Sequence, residues 1–159
     1  MVDQNQVNIR PIDVKDLSNV MEIERSCYPI PWSESVLKES VVGNNECWLI
    51  EYKGMLSGHT IVSNVLDEVH LLNICIAPNF SRKGLGRVLL RHLISVAEER
   101  KAAVFFLEVR ASNRSAIDLY FSEGFNEVGL RPNYYPSEDG SGREDALLMT
   151  LELSLDQYI

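Results

Sequence analysis

The chain has 159 residues, of which 45% are apolar, and a formal net charge of −8. This length predicts one compact domain over residues 1–159. The sequence has no apolar run of about 18 residues and no signal peptide at its polar start, which argues against a membrane span or export. The acidic charge disfavours nucleic-acid binding. Taken together, these features predict a cytoplasmic protein that binds neither membranes nor nucleic acid.

The first part of the chain predicts one strand and two helices. Residues 7–12 predict the strand, and Asp13 can cap the helix that follows it. In this helix, apolar residues recur at helical spacing: Leu17, Val20, Met21 and Ile23. Two prolines then break the chain, and Ser33 can cap a shorter helix over residues 34–42.

A hairpin, a third strand and a long helix come next. Residues 47–52 and 57–65 predict strands, joined by a Lys-Gly pair that favours a tight turn. Residues 69–77 predict the next strand. An amphipathic helix is predicted for residues 84–101, with one apolar stripe formed by Leu85, Leu89, Leu93 and Val96.

The third part of the chain predicts a buried strand and another helix. Residues 104–109 are almost uninterrupted in apolar character, which predicts a central strand covered on both faces. Asn113 can cap the next helix and Gly124 can end it, with Phe125 packing back.

Two closing strands are predicted at residues 125–130 and 146–153. Residues 131–143 between them are rich in Pro, Gly, Asn and Ser and predict a long loop, which inside a compact domain is often functional. The order is β-α-α-β-β-β-α-β-α-β-β. It predicts a mixed α/β domain with one central sheet.

The cysteines and histidines do not suggest a metal site. An odd number of cysteines without a Cys-x-x-Cys pair argues against both a disulfide framework and a zinc site, and the histidines lack ligand spacing. We therefore expect no metal. The residues concerned are Cys27, Cys47, Cys75, His59, His70 and His92.

A basic glycine turn between the third strand and the long helix is the most informative motif. Gly84 and Gly86 let the backbone approach a ligand closely, and Arg82, Lys83 and Arg87 supply positive charge. The first N–H groups of a helix are unpaired and favour anions. The turn therefore predicts a site for a phosphate-bearing molecule, although a simple helix-starting turn is the alternative.

Two better-known phosphate motifs do not fit this turn. A dinucleotide fingerprint needs a third glycine where Leu89 stands, and a Walker-type loop needs Ser or Thr after Lys83, where Gly84 stands.

Several segments together resemble the GCN5-related N-acetyltransferase (GNAT) superfamily, and within it the bacterial ribosomal-protein-alanine N-acetyltransferases, the RimI group. The resemblance covers nearly the whole chain. Its most specific parts are Glu-Val-Arg-Ala-Ser-Asn at 108–113 and Asn-Tyr-Tyr-Pro at 133–136. Other matching segments are 31–34, 66–68, 84–87, 119–120 and 124–125.

The resemblance implies a GNAT fold, in which helices cover both faces of a central mixed, mostly antiparallel sheet. It also implies acetyl-CoA as co-substrate, with the pantetheine arm pairing with a strand edge. The implied binding residues are Ile74, Cys75, Ile76, Arg82, Lys83, Gly84, Leu85, Gly86, Arg87 and Asn113.

The resemblance further assigns Glu108 as the base and Tyr120 as the acid. The residues alone favour simpler readings, in which Glu108 is a strand-end carboxylate that faces Arg110 or solvent and Tyr120 is a core tyrosine. Asn113 has a simpler role as a helix cap, which is compatible with cofactor contact.

The implied acceptor is the N-terminal alanine of a basic small-subunit ribosomal protein, the eighteenth. Trp32, Tyr134 and Tyr135 are candidates for the acceptor side, or simply surface aromatics. Two alternatives stay open: acetylation of a small amine or a protein lysine, and a non-catalytic acyl-CoA-binding module. We expect a monomer or a weak dimer.

Overall fold

A computed structural model describes residues 2–153, and its elements follow the predicted order. The helices in this range are α1 Leu17–Cys27, α2 Glu34–Val42, α3 Leu85–Glu99 and α4 Arg114–Ser122. The strands are β1 Val7–Pro11, β2 Glu46–Tyr52, β3 Met55–Val65, β4 Glu68–Ile76, β5 Val104–Arg110, β6 Asn126–Pro136 and β7 Arg143–Glu152.

The strands form one sheet in the order β1-β2-β3-β4-β5-β7-β6. Strand β1 is antiparallel to β2, β2 to β3, and β7 to both β5 and β6. Strand β4 is parallel to β5, and such a pair needs a crossover connection, which contains α3. The predicted mixed, mostly antiparallel sheet is confirmed.

The described chain divides into two compact units. The first contains residues 2–64 and 72–92, and the second contains residues 65–71 and 93–153. Strand β4 and helix α3 therefore contribute to both units. That residues 1–159 act as a single functional domain stays a prediction.

The first unit is built on a buried cluster in which α1 and α2 pack with β2 and β3. Its members include Leu17, Val20, Met21, Leu37, Leu49 and Ile61. The predicted cap at Ser33 explains where α2 begins, whereas α1 itself begins at Leu17 without a side-chain cap. The Asp13 side chain caps a short 3₁₀ turn before α1, and the Ser33 hydroxyl accepts a hydrogen bond from Val36 N–H at 3.3 Å.

The second unit has an aromatic core. Phe105 of β5 is fully buried and meets Phe125 edge-on, with ring centroids 5.6 Å apart. Asn113 Oδ1 accepts from Ala116 N–H at 3.2 Å and so begins α4 as predicted. Gly124 has a positive φ of 98°, and Phe125 N–H returns to Tyr120 C=O at 3.0 Å, which closes the helix.

Two predictions about strands need correction. Strand β5 is not covered equally on both faces: Phe105, Leu107 and Val109 are buried, whereas Phe106 and Glu108 are only half-buried. The sequence did not reveal this alternation, because Phe106 on the less buried face is apolar as well. The Phe106 ring stacks on the His70 ring.

The predicted loop at residues 131–143 is also wrong in its first half, because β6 continues to Pro136 and only residues 137–142 connect it to β7. The strand tolerates Pro132 because it lies at the edge of the sheet. An irregular register between Arg131 and Tyr135 absorbs the positive φ of 51° at Asn133. The Asp145 carboxylate accepts from Asn133 N–H at 2.9 Å and holds this bend.

Candidate active site

The basic glycine turn lies in the first unit and leads into α3. Arg82 and Gly84 adopt positive φ angles of 61° and 82°, and the segment 81–84 is exposed. The first hydrogen bond of the helix runs from Val88 N–H to Gly84 C=O at 3.1 Å. The N–H groups of Leu85 and Gly86 therefore have no acceptor within the helix.

This geometry suits an anion. A backbone that alternates into the left-handed region turns successive N–H groups toward one side, and the helix dipole adds to their attraction. A Cβ atom built on Gly84 would meet nothing within 4 Å, so the space beside it is open. Lys83 Nζ lies 5.9 Å from the centre of the Tyr52 ring. The turn can therefore hold a phosphate or diphosphate.

The segment Ile74 to Ile76 of β4 was predicted to offer a strand edge to pantetheine. The Tyr28 hydroxyl donates to Ile74 C=O at 2.6 Å, and the Cys27 thiol donates to Ile76 C=O at 3.3 Å. Two carbonyl groups of the predicted edge thus already accept hydrogen bonds from side chains. Because each carbonyl has a second lone pair, further pairing remains possible.

A buried carboxylate in the first unit was missed by the sequence reasoning. Glu24 is 0% exposed, and its Oε1 lies 3.1 Å from His59 Nε2 and accepts from Asn73 Nδ2 at 2.9 Å. Its Oε2 accepts from Trp32 N–H at 2.9 Å. The network ties α1, β3, β4 and the segment before α2 together.

The electrostatics of Glu24 follow from these contacts. Burial acts to raise the pKa of Glu24, but the hydrogen bonds from His59, Trp32 N–H and Asn73 outweigh burial and hold the pKa below its ordinary value. The sequence did carry one signal for this carboxylate. Glu24 stands three residues after Met21 on the apolar stripe of α1, where a charged residue needs partners.

The structure also brings Glu24, His59 and Cys75 together, with ligand atoms that all lie within 4.8 Å of one another. Sequence spacing could not show this group, because its members come from three elements that are distant along the chain. The buried His59 Nδ1 has no hydrogen-bond partner within the described range.

Glu108 lies in the second unit with partners that the sequence did not predict. Arg131 Nε is 3.1 Å from Glu108 Oε1, and the Glu108 side chain is 30% exposed. The Glu108 carboxylate also raises the pKa of Tyr134 above its ordinary value. The Arg131 guanidinium lies 5.4 Å from the centre of the Tyr134 ring.

The alternative pairing of Glu108 with Arg110 is wrong. Arg110 instead contacts Glu138 at 3.3 Å and Glu144 at 3.5 Å, and it donates to Pro136 C=O at 2.7 Å. Its guanidinium also lies 4.5 Å from the centre of the Tyr135 ring. Arg110 thus holds the end of β6, and Arg131 is the cation beside Glu108.

Tyr120 is buried in the same unit, at 5% exposure, with its ring against Phe125. Burial raises the pKa of Tyr120 strongly, and the charge of Tyr135 adds to the effect. Burial also raises the pKa of Tyr135 to about 12, with Glu108 contributing. Both phenols therefore keep their protons near neutral pH.

The structure gives the burial and the contacts of the remaining candidate cofactor and acceptor residues. Asn113 is exposed and caps α4, so its cofactor contact stays a prediction. Trp32 is half-buried, with its N–H bound to Glu24. Tyr134 and Tyr135 lie together on β6 with ring centroids 4.9 Å apart.

Comparison with known proteins identifies the family. Residues 17–125 match the model of the acetyltransferase (GNAT) family. The chain belongs to this family. The [ribosomal protein bS18]-alanine N-acetyltransferase of Escherichia coli K12 is 42% identical to this GNAT protein over 147 residues, which cover 92% of this chain and 98% of the relative. The Haemophilus influenzae protein of the same name is 39% identical over 145 residues, covering 91% and 98%.

Solved structures agree with this GNAT assignment. The crystal structure of the Escherichia coli ribosomal-protein-S18-alanine N-acetyltransferase superposes with a TM-score of 0.88 at 42% identity, covering 94% of this chain and 95% of that one. Arabidopsis thaliana NAA60, crystallised with acetyl-CoA, shares the fold with a TM-score of 0.82 at 19% identity, covering 92% and 98%. The predicted GNAT fold is confirmed.

Within residues 2–153 the GNAT chain contains no helix that combines the length and the apolar character needed to span a membrane.

The effect of Glu108 on Tyr134 predicts that the pKa of Tyr134 changes when Glu108 is replaced. Replacing Glu108 with Gln removes the anion that disfavours tyrosinate, so the pKa of Tyr134 should fall toward its ordinary value of about 10. Ultraviolet titration of the variant, compared with the same titration in Tyr134→Phe, assigns the transition. An unchanged Tyr134 transition would show that Glu108 does not influence the pKa of Tyr134 in solution.

Proposed function

We propose that this protein is an N-terminal acetyltransferase that moves an acetyl group from acetyl-CoA to the α-amino group of an N-terminal alanine. The proposed acceptor is the small-subunit ribosomal protein bS18. The observation that carries the proposal is the 42% identity to the Escherichia coli enzyme across 98% of its length. The cluster of Glu108 with neutral phenols adds independent chemical support.

The turn at residues 82–87 binds the diphosphate of acetyl-CoA. The left-handed backbone at Arg82 and Gly84 and the free start of α3 suit two adjoining phosphates. Ile74, Cys75 and Ile76 pair with the pantetheine amides, and the side-chain amide of Asn113 contacts the cofactor. The GNAT neighbour crystallised with acetyl-CoA supports this choice of co-substrate.

Glu108 acts as the base in direct attack. The amine nitrogen forms a bond to the acetyl carbonyl carbon as the carbon–sulfur bond breaks. Glu108 accepts the proton that the nitrogen loses, directly or through one water. An α-amino group has an ordinary pKa of about 7.7–8.0, well below that of lysine, so a carboxylate suffices. Arg131 positions the Glu108 side chain through the ion pair described above.

Tyr120 acts as the acid. It donates its hydroxyl proton to the departing thiolate, and solvent then restores the starting protonation of both groups. Tyr120 carries its proton near neutral pH, and its burial excludes water from the transfer.

The acceptor side of the proposal uses Trp32, Tyr134 and Tyr135. Tyr134 is exposed at 41%, and Glu138 and Glu144 lie near Tyr135 through their contacts with Arg110. The net charge of −8 would also steer a basic ribosomal protein toward the enzyme.

An acceptor panel tests the proposed function. We expect acetyl transfer to a peptide that begins Ala-Arg, because its α-amino group is partly neutral near pH 8. The matched control is the same peptide with a blocked N-terminus and an internal lysine, which we expect to stay unmodified. Mass spectrometry locates the acetyl group. Preferential modification of lysine or of small amines would favour the second acceptor class, and binding without turnover would favour the non-catalytic module.

The role of Glu108 is tested separately. We expect Glu108→Gln to lower kcat by roughly 10²–10⁴-fold, the usual contribution of a general base, without weakening acetyl-CoA binding. Glu99→Gln is the control because Glu99 is exposed at the end of α3. Steady-state kinetics and calorimetry supply the two measurements. Full activity in Glu108→Gln would remove Glu108 as the base.

The glycine turn offers a matched pair of variants. Gly84 and Gly140 both have positive φ, at 82° and 76°, and both have open space where a Cβ would stand. Alanine at either site should cost about 1–2 kcal/mol of stability. Only Gly84→Ala should weaken acetyl-CoA binding, by about fivefold or more if the strain shifts the loop. Equal binding by the two variants would contradict a cofactor role for the turn.

A further inference from the structure

Strand β6 contains a bulge, residues 132–134, that lies opposite Asp145 of β7 alone, because the register shifts between Arg131 and Tyr135. Asn133 within the bulge holds a positive φ of 51°. A left-handed residue and an interrupted hydrogen-bond ladder both cost stability unless other groups compensate for them. The bulge therefore needs hydrogen-bond partners other than those of a regular ladder.

Two side chains of β7 supply these partners. Arg143 Nε donates to Asn133 C=O at 2.8 Å, and Arg143 Nη2 donates to Tyr134 C=O at 2.6 Å. The Asp145 carboxylate accepts from Asn133 N–H at 2.9 Å. The planar guanidinium thus holds two successive carbonyl groups in a fixed geometry, which the flexible ammonium of a lysine holds less firmly. The Asp145 C=O in turn accepts from Ala111 N–H at 3.0 Å, which ties the bulge to the end of β5.

The bulge determines where two tyrosine side chains point. In a regular strand, Tyr134 and Tyr135 would point to opposite faces of the sheet. Here their rings meet edge-on with centroids 4.9 Å apart, and the Arg131 guanidinium lies 5.4 Å from the centre of the Tyr134 ring. Arg131 is also the cation that pairs with Glu108 at 3.1 Å. The bulge therefore brings an aromatic pair next to the ion pair of the proposed base.

We propose that Arg143 is a positioning residue for acceptor recognition, which holds the bulge so that Tyr134 and Tyr135 form one aromatic surface for the first residues of the acceptor. This inference rests on the proposed function, in which the two tyrosines serve the acceptor side. Tyr134 is 41% exposed, and an exposed tyrosine offers an apolar ring and a polar hydroxyl. Such a surface suits the methyl group and the backbone of an N-terminal alanine.

The rival explanation is that Arg143 only stabilises the hairpin of β6 and β7. The left-handed Asn133 argues for more than that, because strained backbone tends to occur where a ligand is held. Charge separates the two explanations. Losing a cation from a protein of net charge −8 would attract a basic acceptor more strongly and lower its KM, whereas losing the geometry of the bulge would raise KM.

Steady-state kinetics with a peptide that begins Ala-Arg tests the role of Arg143. We expect Arg143→Gln to raise the peptide KM roughly tenfold, because the charged donor to two carbonyl groups is lost, and to leave kcat and acetyl-CoA binding near their wild-type values. Arg143→Lys should recover part of this loss, because the charge and a donor remain. An unchanged KM in Arg143→Gln, or a fall in kcat without a rise in KM, would overturn the proposal.

Lys101→Gln is the matched control. It removes the same charge from an exposed residue of the same unit, before β5 begins and away from the bulge in sequence. We expect the peptide KM of this variant to stay at the wild-type value or to fall. A rise in KM equal to that of Arg143→Gln would show that charge, and not the bulge, sets the affinity for the acceptor.

A double-mutant cycle tests whether Arg143 acts through Tyr134. Tyr134→Ala should raise the peptide KM by itself, and adding Arg143→Gln should raise it little further, because the bulge then has no ring to present. Increases that multiply would show that Arg143 does not act through Tyr134, and the proposal would fail.

Asp145→Ala provides a second route to the same result, because it removes the other side chain that holds the bulge. It should raise the peptide KM as Arg143→Gln does, and an unchanged KM in this variant would contradict the proposal even if Arg143→Gln does not fold. A wild type that acetylates no N-terminal alanine would overturn the proposed function and this inference with it. An active wild type whose KM is insensitive to both variants would overturn this inference alone.

Discussion

The first unit depends on the burial of one carboxylate. Glu24 is removed from water entirely, which would be prohibitive for an isolated charge, yet its oxygens are matched by three partners from three separate segments. Because each partner is positioned by the same carboxylate, α1, β3, β4 and the segment at Trp32 are fixed relative to one another. Removing the charge would leave His59 and Asn73 as buried polar groups without their acceptor.

The fixed position of β4 matters beyond stability. Asn73 precedes the segment at residues 74–76, and the end of α1 reaches the same segment through Tyr28 and Cys27. The proposed pantetheine edge is therefore held in place by hydrogen bonds from neighbouring side chains. Because the strand is already ordered, a ligand that pairs with its backbone loses less conformational entropy on binding.

In the second unit, burial affects the protonation of tyrosine side chains. Tyr120 and Tyr135 are shielded enough to stay protonated, while Glu108 keeps 30% of its side chain exposed beside Arg131. A buried phenol and a partly exposed carboxylate thus occur in the same unit. Separating two titrating groups by their environments in this way is how one site can supply both proton acceptor and proton donor.

The sequence predicted the elements well because their signals are local: caps at Asp13, Ser33 and Asn113, glycine at helix ends, and apolar periodicity. It failed at residues 131–136, where proline and asparagine indicated a loop, but pairing with β7 continued the strand. It also missed Glu24 with His59, and Arg131 with Glu108. Those pairs join residues 35 and 23 positions apart, and single-chain spacing cannot reveal such contacts.

The conformation of the basic turn favours a ligand over a simple helix start. Arg82 holds a φ of 61°, which for a non-glycine residue costs on the order of 1 kcal/mol, yet glycine stands only two positions away. A turn needed only to begin α3 could place glycine at the strained position and keep the same path. An arginine there retains a cationic side chain beside a set of N–H groups that have no acceptor within the helix. That combination is suited to an anion, in line with the proposed role of the turn.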